Sequence, residues 1–237
     1  MGEVLPLTLR GWLSRGWRTF KRNPKPIIGG AVIFTAYGFV LRLVGSVLGN
    51  PLVLLPLQFV ISPVLMVGWC FLSLRLVRGD DAKSSDIFAA FSRFGRAWLT
   101  CFLLFLIVLG GFFLLIIPGI IWSLKYGLSV YAVMDRNLSA RQSIRFSGKI
   151  TKGHKGKLFG AGVIGFLLGL LTMPFSFGLQ RLGENLGIIL VAVGIVPYLV
   201  HLLVIIPWMG ATGAAAYDSL AYGEEAVTAK ETSSAAV

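Results

Sequence analysis

The chain has 237 residues, of which 56% are hydrophobic and only 14% charged, with a mean hydropathy of +0.80 and a formal net charge of +12. A soluble domain carries about 25% charged residues to cover its surface, and here whole windows of about 20 residues lack a polar face, which points to a multi-spanning membrane protein instead. The positive balance would suggest nucleic acid in a soluble chain, but no recognition motif accompanies it. The basic residues abut apolar runs, where anionic lipid headgroups are the nearer partner.

Residues 1–25 carry charge throughout and contain no apolar core of the kind a secretory signal needs, which predicts a retained N-terminus. Within them Leu9, Trp12, Leu13, Gly16, Trp17 and Phe20 share one helical face. Arg10, Arg18 and Lys21 lie largely away from that face, with Arg15 and Arg22 on the same segment. A basic helix with Trp on its apolar side is expected to lie in the membrane interface. Asn23-Pro24-Lys25-Pro26 then breaks it.

A first span is expected over residues 27–48 and a second over 52–74, turning at Gly49-Asn50-Pro51. Pro56 and Pro63 lie inside the second, where neighbouring helices must satisfy the freed carbonyls. A polar loop at Arg78-Gly79-Asp80-Asp81 leads to Ser84-Ser85-Asp86, an N-cap signal. Ile87, Phe88, Phe91, Phe94 and Trp98 follow at helical spacing, with Arg93 and Arg96 among them. This predicts a second basic amphipathic interfacial helix.

The apolar stretch from 97 to 134 is too long for one crossing of about 20 residues. Two readings are open at Pro118-Gly119: a hairpin with spans over 99–117 and 120–134, or one long kinked helix. The hairpin is preferred because it leaves both flanking basic blocks on one side. Ser139 then caps a third amphipathic segment carrying Arg141, Arg145 and Lys149, which a glycine-rich stretch with Lys152, Lys155 and Lys157 ends. A fifth span is expected over 158–173, a polar loop around Arg181, and a sixth span over 186–217 with bends at Pro197 and Pro207. Residues 1–217 read as a single integral membrane domain and 218–237 as a flexible tail.

Under this all-α, six-span threading, nineteen of the twenty-two Lys and Arg residues fall on one side, which the positive-inside rule assigns to the cytoplasm together with both termini. Three times a basic amphipathic segment leads into a pair of spans, a weak repeat without residue identity. Glycines and alanines four apart, at Gly45 and Gly49 and at Ala161, Gly165 and Gly169, would let helices approach closely.

No catalytic constellation, cofactor-binding loop or metal-ligand spacing is visible. Cys70 and Cys101 lie in apolar runs and read as small buried hydrophobes. Three intramembrane polar residues stand out. Arg42 is placed to snorkel to the outer headgroups. Lys125 would cost about 3 kcal/mol unpaired at mid-bilayer, and Asp135 is a poor partner for it. His201 reads either as a functional group or as a neutral imidazole bonding a neighbouring helix. The basic residues of the three amphipathic segments are the candidate contacts for anionic lipid or an acidic partner, including other membrane-protein subunits.

Ile117-Pro118-Gly119-Ile120, Tyr126, Met134-Asp135, Ser139-Ala140, Ser143, Ser147, Thr151-Lys152-Gly153 and Lys157-Leu158-Phe159 together resemble the group of bacterial inner-membrane proteins that includes the YciC-like proteins and the membrane domain beside some glycerophosphoryl diester phosphodiesterases. The likeness covers about residues 70–165. It implies a six-span bacterial plasma-membrane domain without the soluble phosphodiesterase portion, and no site residues carry over. The combined expectation is a non-enzymatic scaffold or accessory subunit, with a small-solute or lipid transporter as the alternative.

Overall fold

The computed structural model describes residues 7–173 and 185–234, and every regular element among them is helical. Helix α1 spans Leu9–Arg22 and is capped by Thr8, whose hydroxyl accepts from the Gly11 N–H. Asn23 breaks the chain, and α2 (Pro24–Val47) starts on Pro24, where a missing N–H is harmless. A 3₁₀ turn at Pro51–Leu54 leads into α3 (Leu55–Arg78), which stops at Gly79 with φ of 85°, a left-handed closing residue that favours glycine.

A 3₁₀ segment, Ser84–Arg93, follows and runs directly into α4 (Phe94–Leu114). Then come α5 (Ile116–Tyr126), α6 (Ser129–Asp135), α7 (Ala140–Ile150) and α8 (Lys155–Leu170). After the undescribed stretch, which holds the expected loop around Arg181, α9 (Asn185–Val200) passes through a π-helical turn at His201–Ile205 into α10 (Ile206–Ser234).

Among the described residues, five stretches are long and apolar enough to cross a membrane: Pro24–Val47, Leu52–Arg78, Ser84–Leu114, Ile116–Asp135 and Ile188–Gly223. At the expected fifth span, α8 has 16 residues, about 24 Å at 1.5 Å per residue. The helices run well past the apolar spans. Buried residues concentrate in Val64–Val77 of α3, Leu128–Met134 of α6 and Ala211–Ala221 of α10. Exposed large apolar side chains concentrate instead between 32 and 60, 99 and 121, 159 and 173, and 188 and 203, with Phe113 83% exposed. The molecule is thus a tightly packed end joined to a set of apolar-surfaced helices.

The helical run breaks at Leu115, an extended residue three positions before Pro118. Pro118 has no N–H to donate to the Leu114 carbonyl, so α4 ends there, and the proline sits harmlessly in the first turn of α5. Gly119 serves packing instead. A Cβ on Gly111 would come within 2.8 Å of the Gly119 Cα, so α4 and α5 touch backbone to backbone. Beyond these two helices, Arg93 Nη1 of the 3₁₀ segment donates to the Met134 carbonyl of α6 at 3.1 Å.

Pro63 lies inside α3, and its missing N–H frees the carbonyl four residues earlier, that of Phe59. Trp98 Nε1 of α4 donates to that carbonyl at 3.2 Å, while its ring stacks on Phe102 at 5.0 Å. Trp98→Phe keeps the stack and removes the donor. It is expected to cost about 1–3 kcal/mol, and adding Pro63→Ala, which restores the backbone donor, should recover part of the loss in detergent unfolding curves. No recovery in the double variant would refute this account.

Four expectations change. The segment 84–93 is 3₁₀ rather than α-helical. With three residues per turn, Ile87 and Ala90 face α3, and Phe88, Phe91 and Phe94 form an exposed row with successive ring centroids 6.2 Å apart. The apolar face of α1 is not left for lipid. It packs antiparallel on α10, with Gly16 against Thr212, Trp17 against Trp208 at 5.5 Å, and Trp208 Nε1 donating to the Leu13 carbonyl at 3.0 Å. The close glycine approaches are only partly where expected. Gly165 lies close to Met209, a Cβ there standing 3.1 Å from its Cε, but Gly49 and Gly169 have open space beside them, and Gly16, Gly30, Gly68, Gly111 and Gly210 are pressed against neighbours instead.

The fourth change is at the expected tail. The helix continues through Ser234, and Asp218, Ser219, Leu220 and Ala221 are buried. Ala214, Tyr217, Asp218 and Ala221 recur at helical spacing, so this stretch has an apolar face to bury.

Candidate functional site

The packed end is held by charges drawn from four helices far apart in sequence. Asp218 of α10 accepts from Arg15 Nη2 of α1 at 2.7 Å and from Arg78 Nε of α3 at 2.9 Å. Arg78 Nη1 also donates to Asp135 Oδ1 at the end of α6 at 2.5 Å. The other Asp135 oxygen accepts from the hydroxyls of Tyr217 and Tyr222, both at 2.8 Å. Side-chain exposure is 5% for Asp135, 7% for Asp218, 15% for Arg15 and 29% for Arg78, so this is an interior network and not a surface pair. Arg136 borders it, donating to the Ala221 carbonyl at 3.2 Å, with its guanidinium 4.5 Å from the Phe146 ring and 4.7 Å from that of Tyr222.

Asp135 and Asp218 are the acids of this network among the described residues. Asp86, which caps the 3₁₀ segment through the Lys83 N–H, is paired with Arg75 at 2.5 Å. Of the basic residues singled out from sequence, Arg15 therefore belongs to the interior. Arg93 and Arg96 are engaged with the far end of α6, Arg93 at the Met134 carbonyl and Arg96 with the Asn137 side-chain oxygen at 2.6 Å. Asn137 holds that turn with φ of 53°, a left-handed conformation that asparagine tolerates better than most residues. Lys157 Nζ donates to the Leu7 carbonyl at 2.6 Å.

The rest face outward. Arg10, Arg18, Lys21 and Arg22 are exposed on α1, with Lys21 lying 5.4 Å over the Trp17 ring. On α7, Arg141, Arg145 and Lys149 are exposed at intervals of four, with Lys152 exposed and Lys155 half-buried just beyond. The opposite face of α7 buries Ala140, Ser143, Ile144, Ser147 and Ile150. Its first turn is closed by a capping box in which Gln142 Oε1 accepts from the Ser139 N–H at 3.0 Å.

Lys125 is half-buried near the end of α5, its ammonium 4.8 Å from the Tyr126 ring centroid. Asp135, set aside as its partner, is bound to Arg78 instead. His201 opens the π-helical turn, and its Nδ1 is buried without a hydrogen-bond partner among the described residues. Arg42 is exposed beside an open cavity of about 660 Å³ between α2 and the start of α3. Cys70 is a buried free thiol and Cys101 a half-buried one. Among the described residues no group of three His, Cys, Asp or Glu side chains converges as a metal site would require.

Sequence reasoning missed Asp218. The visible signal was an acid set one residue after Tyr217 and four before Tyr222, inside an alanine-rich run of helical period. Compared with known proteins, the chain matches no family model, no curated protein and no solved structure.

Proposed function

We propose that this is a non-enzymatic, multi-pass protein of the bacterial plasma membrane, a scaffold or accessory subunit that binds anionic lipid or an acidic partner through its outward-facing cations. The carrying observation is the asymmetry of pairing. Asp86, Asp135 and Asp218 are engaged with Arg75, Arg78 and Arg15, while Arg10, Lys21, Arg22, Arg141, Arg145, Lys149 and Lys152 are exposed. A surface left so rich in cation attracts anionic headgroups at about 1 kcal/mol per residue near the bilayer.

In this reading α8 supplies a sixth span, and the termini and packed end face the cytoplasm. Support comes from the exposed apolar side chains of α8, such as Phe166 and Leu167, and from the concentration of Lys and Arg on one side of a six-span threading. The inner-membrane setting also follows the resemblance to the YciC-like group. The transporter alternative rests on Lys125 and His201, of which Lys125 already lies over the Tyr126 ring.

The test is stability of the purified protein in neutral bilayers against bilayers containing phosphatidylglycerol. A ligand that binds the folded state raises its unfolding midpoint, so the anionic membrane should stabilise, and less so at high salt. Equal midpoints at low salt would sink the lipid reading. A stoichiometric co-purifying protein in mild detergent would favour the acidic-partner branch.

A further inference from the structure

Lys125 and Arg145 stand on different helices but line the same cleft, an open cavity of about 510 Å³ between α5 and α7, with Ile107 of α4 behind it. The other walls are Trp122, Tyr126 and Ile144, and among the described residues no acidic one lines it. Two cations from separate helices with no carboxylate between them mark a place that an anion would fill.

The pairing is built into the fold. The Ser147 hydroxyl of α7 donates to the Lys125 carbonyl at 2.9 Å, and the Thr151 hydroxyl just past the helix is shared between that carbonyl at 3.0 Å and the Ser147 carbonyl at 2.8 Å. These bonds fix the register of α7 on α5, and so the position of Arg145 relative to Lys125. Gly148 completes the arrangement. A Cβ there would stand 3.2 Å from the Tyr126 ring edge and in ordinary contact with Lys125 Cε at 3.5 Å, so glycine leaves room for the Tyr126 ring.

The cleft is itself lined by Ile107, Trp122 and Ile144, and the helices that wall it carry exposed apolar side chains, Leu106 on α4 and Ile121 on α5. Its occupant should therefore be an amphiphile with an anionic head. We infer that this cleft is a specific site for an anionic phospholipid, whose phosphate lies between Lys125 and Arg145 and whose acyl chain follows Ile107, Trp122 and the apolar flank of α4. Arginine matches a phosphate with two parallel donors, while lysine serves as a point charge. The inference rests on the anionic-lipid reading above and sharpens it from a diffuse surface to one site.

The experiment measures phospholipid retained by the full-length protein after detergent washing, by native mass spectrometry, and its replacement by added phosphatidylglycerol or phosphatidylcholine. Wild type should retain about one anionic phospholipid more tightly than the rest. Lys125→Gln and Arg145→Gln should each weaken that retention about fivefold, the worth of one basic residue near an anionic surface. Lys25→Gln, an equal charge loss on another helix, should leave it unchanged. Arg145 is exposed, so its variant keeps the test open if Lys125→Gln fails to fold.

Unchanged retention in the folded Arg145→Gln variant would overturn the site. So would displacement of the lipid by millimolar inorganic phosphate as readily as by phosphatidylglycerol, since free phosphate would then be the ligand. If the cleft alone is wrong, wild type still prefers anionic bilayers and the cleft variants do not alter that preference. If the wider reading is wrong, the preference itself is absent.

Discussion

Asp218→Ala should destabilise the protein by about 3–5 kcal/mol, the range for removing one partner of a buried ionic network. The carboxylate holds Arg15 and Arg78 at once, at 2.7 and 2.9 Å. Arg15 is 15% exposed at its side chain, and its other terminal nitrogen, Nη1, is buried without a partner. Removing Asp218 leaves that guanidinium inside the fold with no counter-charge. Arg78 retains Asp135 and is hurt less. The loss should therefore be strongly non-additive with Arg15→Met, because the double variant removes the orphaned charge along with its partner. Unfolding in detergent followed by tryptophan fluorescence can read both. A loss below about 1 kcal/mol would class the pair with exposed salt bridges and refute the interior clamp.

The second large effect is expected at Gly68. A Cβ at this position would fall on the Ile87 carbonyl of the 3₁₀ segment. The obstacle is backbone, which cannot rotate aside as a side-chain tip can. Gly68→Val should therefore cost about 3 kcal/mol, the upper end of ordinary over-packing, and should loosen the 3₁₀ segment from α3. Gly38, in α2, has nothing within 4 Å of such an atom. Gly38→Ala should be neutral or slightly stabilising, by up to about 1 kcal/mol through helix propensity. Similar unfolding midpoints for the two variants would count against the packing described for α3.

These two sites show what the chain reveals before it is folded. The apolar stretches were legible because length and hydropathy alone bound them. The break at Asn23-Pro24 was legible because proline acts locally. So was the need for a donor near Pro63, although nothing local names Trp98, 35 positions away, as the group that supplies it. The three-residue spacing of Phe88, Phe91 and Phe94 fits both 3₁₀ and α periodicities over so short a run, and contact with Gly68 decides between them. Amphipathicity was read correctly as a face in need of apolar cover. It does not say whether that cover is lipid or protein, and for α1 the structure supplies α10. The pairing of Asp218 with Arg15 and Arg78 was invisible for a related reason: charge complementarity between distant residues is set by the fold. Lys125 and Arg145 were each conspicuous, yet only the hydroxyl bonds from Ser147 and Thr151 bring them to one cleft.

The antiparallel contact between α1 and α10 also bears on how the chain is made. Arg15 and Asp218 are 203 positions apart. At roughly 5–20 residues per second, α1 leaves the ribosome about 10–40 seconds before its partner exists. Throughout that interval Arg15 has no carboxylate from α10, and the Trp12 and Trp17 face has no helix to cover it. The nascent chain must hold this segment in some provisional environment, and for the membrane protein proposed above the headgroup layer beside the insertion site is the nearest that accepts both tryptophan and arginine. An amphipathic helix that ends inside the protein could thus begin on the membrane surface, and the last turns of α10 would be the event that lifts it off.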